Sequence, residues 1–233
     1  MTNDPIKTAV VTGGASGIGQ ECARQLREDG WRGAVWDRAG NGDDPAVDVA
    51  DYASVAAAAR RLDGVDLLVN AAGIAGGREP VAEKDPAEWA QVLAVNLTGT
   101  FHCAHALYPH LKARRGVVVN IASVAGITMM KGRAHYAVSK AGVATLTRSL
   151  ANEWAADGIR VLAVAPGYVK TQMIERSIEA GELDEGKLAA MHPLNRLASP
   201  QEIAAAMIAL AKPPFLFMTG SVVLIDGGLT LGK

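Results

Sequence analysis

Thr8-Ala-Val-Val-Thr12-Gly13-Gly14-Ala15-Ser16-Gly17-Ile18-Gly19 runs a short apolar stretch into a glycine-rich turn, and a helical pattern follows through about Glu28. A strand that passes straight into a helix across glycines decides the fold. The free N–H groups of the turn and the helix N-terminus make a ready site for a pyrophosphate. Glycine lets a ligand approach the backbone, and Ser16 adds a hydroxyl donor. The spacing is Gly-x-x-x-Gly-x-Gly rather than Gly-x-Gly-x-x-Gly. Without a ligand, such a turn would only carry a strand tightly into a helix. The strand before it and an acid after it favour binding, with Gly13, Ser16, Gly17, Ile18 and Gly19 as the contacts.

Working outward, short apolar runs alternate with helical stretches. Strands are expected at 8–12, 34–36, 46–49, 66–70, 116–122, 159–165 and 222–225. Helices are expected at 52–62, 86–114, 136–157 and 200–211, the second with Asp85 as cap and Pro86 at its first position, the third closed by Gly158. Near-continuous apolar strands separated by helices imply a parallel sheet covered on both faces. The fold class is therefore α/β, a doubly wound, Rossmann-like parallel sheet, with ligands outside the carboxyl ends of the strands. No linker or repeat interrupts the chain, which reads as one domain over residues 1–233. The crossover after Asp37, RAGNGDDP, is too short and too rich in Gly and Pro for a full helix. A loop there leaves one sheet edge thinly covered.

Asp37 ends the second strand. A carboxylate there accepts both hydroxyls of an adenine ribose, the NAD arrangement. It repels a 2'-phosphate: two like charges about 4 Å apart cost on the order of 4 kcal/mol at a surface-like dielectric. Alternatively Asp37 only caps a turn. Arg38 leaves NADP open, since it could grip that phosphate or stack on adenine.

Bulk properties narrow the class further. The chain has 233 residues, 49% hydrophobic and 20% charged, with a net charge of -1. Nothing in that balance attracts nucleic acid or an anionic membrane. The N-terminus MTNDPIKTAVV lacks a signal-peptide pattern, and no apolar run approaches a membrane span. Cys22 and Cys103 are too few for a disulfide framework and point to a reduced, cytoplasmic protein.

Tyr136-Ala-Val-Ser-Lys140 sets a phenol and an ammonium one helical turn apart on one face. A lysine charge beside a phenol is expected to lower the phenol's pKa from about 10 and make it an acid/base near neutrality. Alone the pair is weak, because surface helices produce it by chance. Behind the glycine turn and Ser123 it is far more specific.

With these residues in hand, the chain resembles the short-chain dehydrogenase/reductase family. The resemblance runs from Thr12 to Gly228. It covers the TGGASGIG turn, Asp48-Val49, Asn70-Ala71-Ala72-Gly73, Asn96, Ser123, Tyr136 with Lys140, Pro166-Gly167, and Thr219-Gly220 with Asp226-Gly227-Gly228. Ala71 departs from the family pattern, which has a second Asn there, and the shortened crossover after Asp37 is another departure.

The resemblance implies roles. Tyr136 is the acid/base, Lys140 holds the nicotinamide ribose and depresses the tyrosine pKa, and Ser123 steadies the substrate oxygen. Asn96 holds a water that links Lys140 to solvent. Asp48 and Val49 meet the adenine; Asn70, Ala71 and Gly73 lie along the cofactor; Pro166, Gly167, Val169 and Thr171 fix the nicotinamide. Each of these alone would read as an ordinary structural hydrogen bond or turn.

The implied activity is hydride transfer between NAD, or NADP, and a small-molecule secondary alcohol or ketone, such as a polyol or sugar. A 3-oxoacyl reductase shares much of the framework. A non-catalytic nucleotide sensor has no use for a tuned phenol. An epimerase or dehydratase of the longer branch lacks support in the turn spacing. No metal is called for: His102 and His105 share a helix face, but nothing nearby completes a ligand set. His135 adjoins Tyr136, where it would touch substrate or a subunit contact. The segment 171–199 sits where the family places a substrate lid, and Met129, Met130, Met173, Met191 and Tyr168 either line the pocket or simply pack. Arg78, Arg133, Arg176 and His192 are expected on solvated surface, with contact to a polar or anionic substrate as the alternative. The two long helices carry more small apolar faces than one sheet can bury, so a homo-oligomer, a tetramer, is expected.

Overall fold

The computed structural model describes residues 6–40, 44–128 and 130–231. A six-stranded, all-parallel sheet runs in the order β2-β1-β3-β4-β5-β6. Its strands are β1 (Thr8–Thr12), β2 (Arg32–Trp36), β3 (Leu67–Asn70), β4 (Val117–Ile121), β5 (Arg160–Pro166) and β6 (Val222–Ile225). The helices are α1 (Gly17–Glu28), α2 (Tyr52–Ala59), α3 (Pro86–Leu93), α4 (Gly99–Arg114), α5 (Ala125–Thr128), α6 (Ala134–Trp154), α7 (Gln172–Glu179), α8 (Glu185–Ala190) and α9 (Pro200–Ala211). The chain steps from β1 outward to β2, then returns to the other side of β1 as β3. That reversal opens a crevice at the carboxyl ends of β1 and β3, where doubly wound sheets bind ligands.

Both sheet faces are covered, which explains the near-continuous apolar strands. On one face Val11, Val69, Val119 and Leu162 pack with Leu26 of α1 and Ile203 and Met207 of α9. On the other, Val10, Leu68, Val118 and Val161 pack with Val55 of α2, Leu107 and Leu111 of α4, and Leu150 of α6. Local chemistry sets the helix ends as expected. The Asp85 carboxylate accepts from Ala87 N with Pro86 at the first position of α3, and Gly158 (φ 79°) ends the turn after α6. Ser199 and Glu202 form a reciprocal capping box on α9.

Two expectations are corrected. Residues 46–49 form no strand; Ala46 makes a single bridge to Asp37. Pro45 has no N–H to give a ladder, and the Asp44 carboxylate takes the Val35 N–H at 3.1 Å. Residues 41–43 of this crossover lie outside the described residues. The long helix at 86–114 is also not uniform. A π-helical turn, Ala94–Thr98, separates α3 from α4, and its wider ring carries Asn96 inward.

α1 sits tightly under the glycine turn: a Cβ on Gly19 would lie 2.3 Å from the Gly13 carbonyl oxygen. Gly19→Ala is therefore expected to cost about 3 kcal/mol, read as a lower urea midpoint at unchanged m-value.

Candidate active site

A cleft of about 480 Å³ opens at the carboxyl ends of the strands. At one end the glycine turn approaches it. Gly13 (φ 64°) lies against the 71–72 backbone, where a Cβ would come within 2.7 Å of Ala72 Cα. Gly17 (φ 55°) opens α1, whose first turn holds no acidic side chain and whose Ser16 makes no side-chain cap. The positive end of the α1 dipole and the Ser16 hydroxyl are thus free for an anion. Asp37 and Arg38 follow β2 into the same end. The Asp37 carboxylate accepts from Ala15 N at 3.2 Å and Ala39 N at 3.3 Å, so it braces the turn as well as facing the cleft. Asp48 and Val49 line this end too, with Asp48 Oδ1 accepting from Ala50 N. A dinucleotide fits these residues: the glycines keep the approach open, a helix end faces it, and a carboxylate lies beyond.

Ser123, Tyr136 and Lys140 line the middle, with Ala71, Gly73, Pro166, Gly167, Val169 and Thr171 around them. Ser123 follows β4 directly, and its hydroxyl accepts from Ala125 N at 3.2 Å. Tyr136 and Lys140 stand one turn apart on α6, the ammonium 5.8 Å from the phenol ring centroid. Lys140 is 4% exposed and donates to the Ile121 carbonyl at 2.8 Å. Burial lowers its pKa to about 8. The expected depression of the Tyr136 pKa does not appear. Burial raises that pKa, only partly offset by the Ser123 hydroxyl and the Arg133 charge. Desolvation outweighs both of them here.

Two predicted residues stand behind the cleft rather than on its wall. Asn70 donates to Asn120 Oδ1 at 2.9 Å, and Asn120 in turn donates to Thr147, a buried polar chain across β3, β4 and α6. Asn96 is fully buried; its amide pairs both ways with the Ile74 backbone (2.8 and 2.9 Å) and donates to Ser139 Oγ. Both Asn96 donor hydrogens are thereby used within the protein, and the side chain fixes the loop that follows Gly73.

Other expectations divide. Met130, Met173 and Tyr168 line the cleft, whereas Met191 does not; Met129 lies outside the described residues. His192 is buried, accepts from Tyr168 N at 3.2 Å and faces Leu188 O at 2.8 Å, so it braces the 167–168 backbone instead of lying on the surface. His135 is fully buried beside Glu88, 3.6 Å away, and does not reach the cleft. His102 faces Val49 O and His105 faces Tyr52. No cluster of three metal-ligating side chains occurs among the described residues. Arg133 and Arg78 were expected on solvated surface, yet both line the cleft, Arg133 only 8% exposed. Arg133 is the residue just before α6, outside the helical spacing that links Tyr136 and Lys140, so no local pattern marked it.

Comparisons agree with this geometry. A family model described as enoyl-(acyl carrier protein) reductase matches residues 13–230. The chain is 40% identical to cis-4-hydroxycyclohexanecarboxylate dehydrogenase of Sinomonas cyclohexanicum, covering 96% of each protein. It is also 40% identical to galactitol 2-dehydrogenase (L-tagatose-forming) of Cereibacter sphaeroides, over 96% of this chain and 94% of that one. A solved structure of ElxO with NADP bound superposes with a TM-score of 0.90 at 27% identity, over 97% of this chain and all (100%) of the other. Fold and site define a nicotinamide-dependent oxidoreductase. The chain belongs to the short-chain dehydrogenase/reductase family.

Lys140 gives a pH test of the buried site. Its folded pKa lies below the ordinary 10.5, so the folded chain releases this proton first. The burial penalty is complete below about pH 8 and is relieved as pH rises to 10.5. Lys140→Met removes a penalty of about 3 kcal/mol at pH 7, offset by about 1 kcal/mol for the lost hydrogen bond. Urea titrations are expected to show a net gain at pH 7 that shrinks by pH 10.

Proposed function

We propose that the protein is an NAD-dependent dehydrogenase of small secondary alcohols, acting reversibly on the matching ketones. The observation that carries this reading is the convergence of Ser123, Tyr136 and Lys140 on one wall of a cleft whose far end is a glycine turn at a helix N-terminus. When bound there, the dinucleotide supplies or accepts the hydride.

The chain's own residues handle the rest. Ser123 Oγ orients the substrate oxygen and stabilises negative charge on it. Tyr136 gives that oxygen a proton in ketone reduction and takes one in alcohol oxidation. Lys140, one turn further along α6, would hold the nicotinamide ribose. Asn96 positions the 73–75 loop through Ile74. Asn70 carries the strand end behind Ala71 and Gly73. Asp37 favours NAD, because its carboxylate repels a 2'-phosphate, with Arg38 the residue able to oppose that preference. Segment 171–199 acts as the substrate lid: Thr171, Gln172, Met173 and Arg176 reach the cleft from the start of α7. Exposed Phe101 on α4 and Val138 on α6 support pairing of these helices in a homotetramer. The two cysteines, both buried and free, support a reducing cytoplasm. No described helix is long and apolar enough to cross a membrane.

Tyr136→Phe is expected to lower kcat by about 1000-fold while leaving dinucleotide affinity within a few-fold of wild type. Reduced-nicotinamide absorbance with an alcohol panel, run with both NAD and NADP, reads both the loss and the NAD preference. Equal turnover by the variant would remove the tyrosine from the chemistry. Light scattering is expected to give about four times the 24.2 kDa chain mass, and a monomer would overturn the assembly.

A further inference from the structure

Beyond Tyr136, the cleft carries positive charge that proton transfer does not need. Arg78, Arg133 and Arg176 all line it. The acidic residues on the cleft wall are Asp37 and Asp48, at the opposite, glycine-turn end. Among the described residues no carboxylate lies within ion-pair distance of any of the three arginines. Glu182 acts on Arg133 only as a minor, longer-range charge.

Arg133 is more than nine-tenths buried. Its Nη1 donates to the Ala75 and Gly76 carbonyls at 3.0 and 2.5 Å, which fixes the guanidinium and leaves its remaining donors without a described protein partner. Arg78 Nε is buried and has no hydrogen-bond partner. The segments that carry the two arginines touch, since a Cβ on Gly132 would lie 2.1 Å from the Arg78 carbonyl oxygen. Arg133 is disfavoured as a cation by burial and then by Arg78. Like charges brought together and partly desolvated raise each other's energy, and a bound anion relieves both. The Arg133 charge also reaches the Tyr136 phenol, so this cationic corner and the reacting oxygen share one pocket.

We propose that the substrate carries a carboxylate held by Arg78 and Arg133, with Arg176 meeting it from α7, so that the enzyme acts on small hydroxy acids and keto acids rather than neutral polyols. This rests on the oxidoreductase reading above. The forked guanidinium matches a carboxylate in two-point geometry.

The test compares reduction of 4-oxocyclohexanecarboxylate and levulinate with reduction of their methyl esters and of dihydroxyacetone phosphate. Wild type is expected to prefer the acids over the esters by about 100-fold in kcat/KM, mainly through KM. Arg78→Gln is expected to cut that ratio by about 10-fold or more, and Arg78→Lys to restore part of it. Arg78 is chosen because Arg133 also braces the 75–76 loop. Calorimetry on the NAD-saturated protein adds a readout free of turnover: cyclohexanecarboxylate should bind about 10-fold or more tighter than cyclohexanecarboxamide, and Arg78→Gln should erase the difference. Esters reduced as well as acids, a preference for the phosphate ester, or a ratio untouched by Arg78→Gln overturns the carboxylate site. Acid-selective binding with no turnover of any substrate keeps the site and sinks the oxidoreductase reading instead.

Discussion

At the carboxyl ends of β1 and β3 two stretches of backbone meet with almost nothing between them. Thr12 Oγ1 accepts from both Ala71 N and Ala72 N at 3.1 Å. Gly13 then turns away past Ala72 at a distance no side chain would allow. This junction joins the outward half of the sheet to the returning half. It sets the mouth of the crevice, seats α1 beneath the turn and aims its N-terminus at the opening. Everything the cleft presents, from Asp37 to Thr171, is placed relative to that contact.

Around it the polar interior is organised in layers. The Asn70–Asn120–Thr147 chain ties β3, β4 and α6 together through side-chain hydrogen bonds. Asn96 ties the π turn to the loop after Gly73 and to Ser139 on α6. Buried amides like these are costly unless satisfied, so they specify one arrangement of the elements that carry Tyr136 and Lys140. Those two groups are held in surroundings that disfavour charge on either. Burial moves the phenol up and the ammonium down. The protein therefore moves the ionisation equilibria of the pair apart, with the ammonium losing its proton well before the phenol, and desolvation is the cause on both sides.

Much of this was legible in the chain because the signals were local. The strand-turn-helix at 8–19, the Asp85-Pro86 start of α3, the Gly158 stop and the Pro200–Ala211 helix depend on neighbours in sequence, and each formed as read. What escaped was non-local. Whether 46–49 pairs as a strand depended on Asp44 capturing the Val35 N–H. The Tyr136 pKa depended on burial that no spacing reveals. Surface was the default for Arg78 and Arg133, and only the packing of the 75–78 loop against Gly132 draws them inward. Asn70 and Asn96 were recognised as important positions, but their side chains work from behind the wall.

The π turn at Ala94–Thr98 has a bearing on how such a chain can change. A regular helix advances roughly 100° per residue, so the extra residue in this ring acts as a phase shifter. Upstream, α3 keeps Glu88 against the 77 loop; downstream, α4 keeps Cys103, Leu107 and Leu111 in the interior. Deleting one residue here would heal the spiral and swing one half away from its partners. Point substitutions away from the buried Asn96 keep that phase, whereas a change in length would have to be matched by a compensating insertion within the same ring.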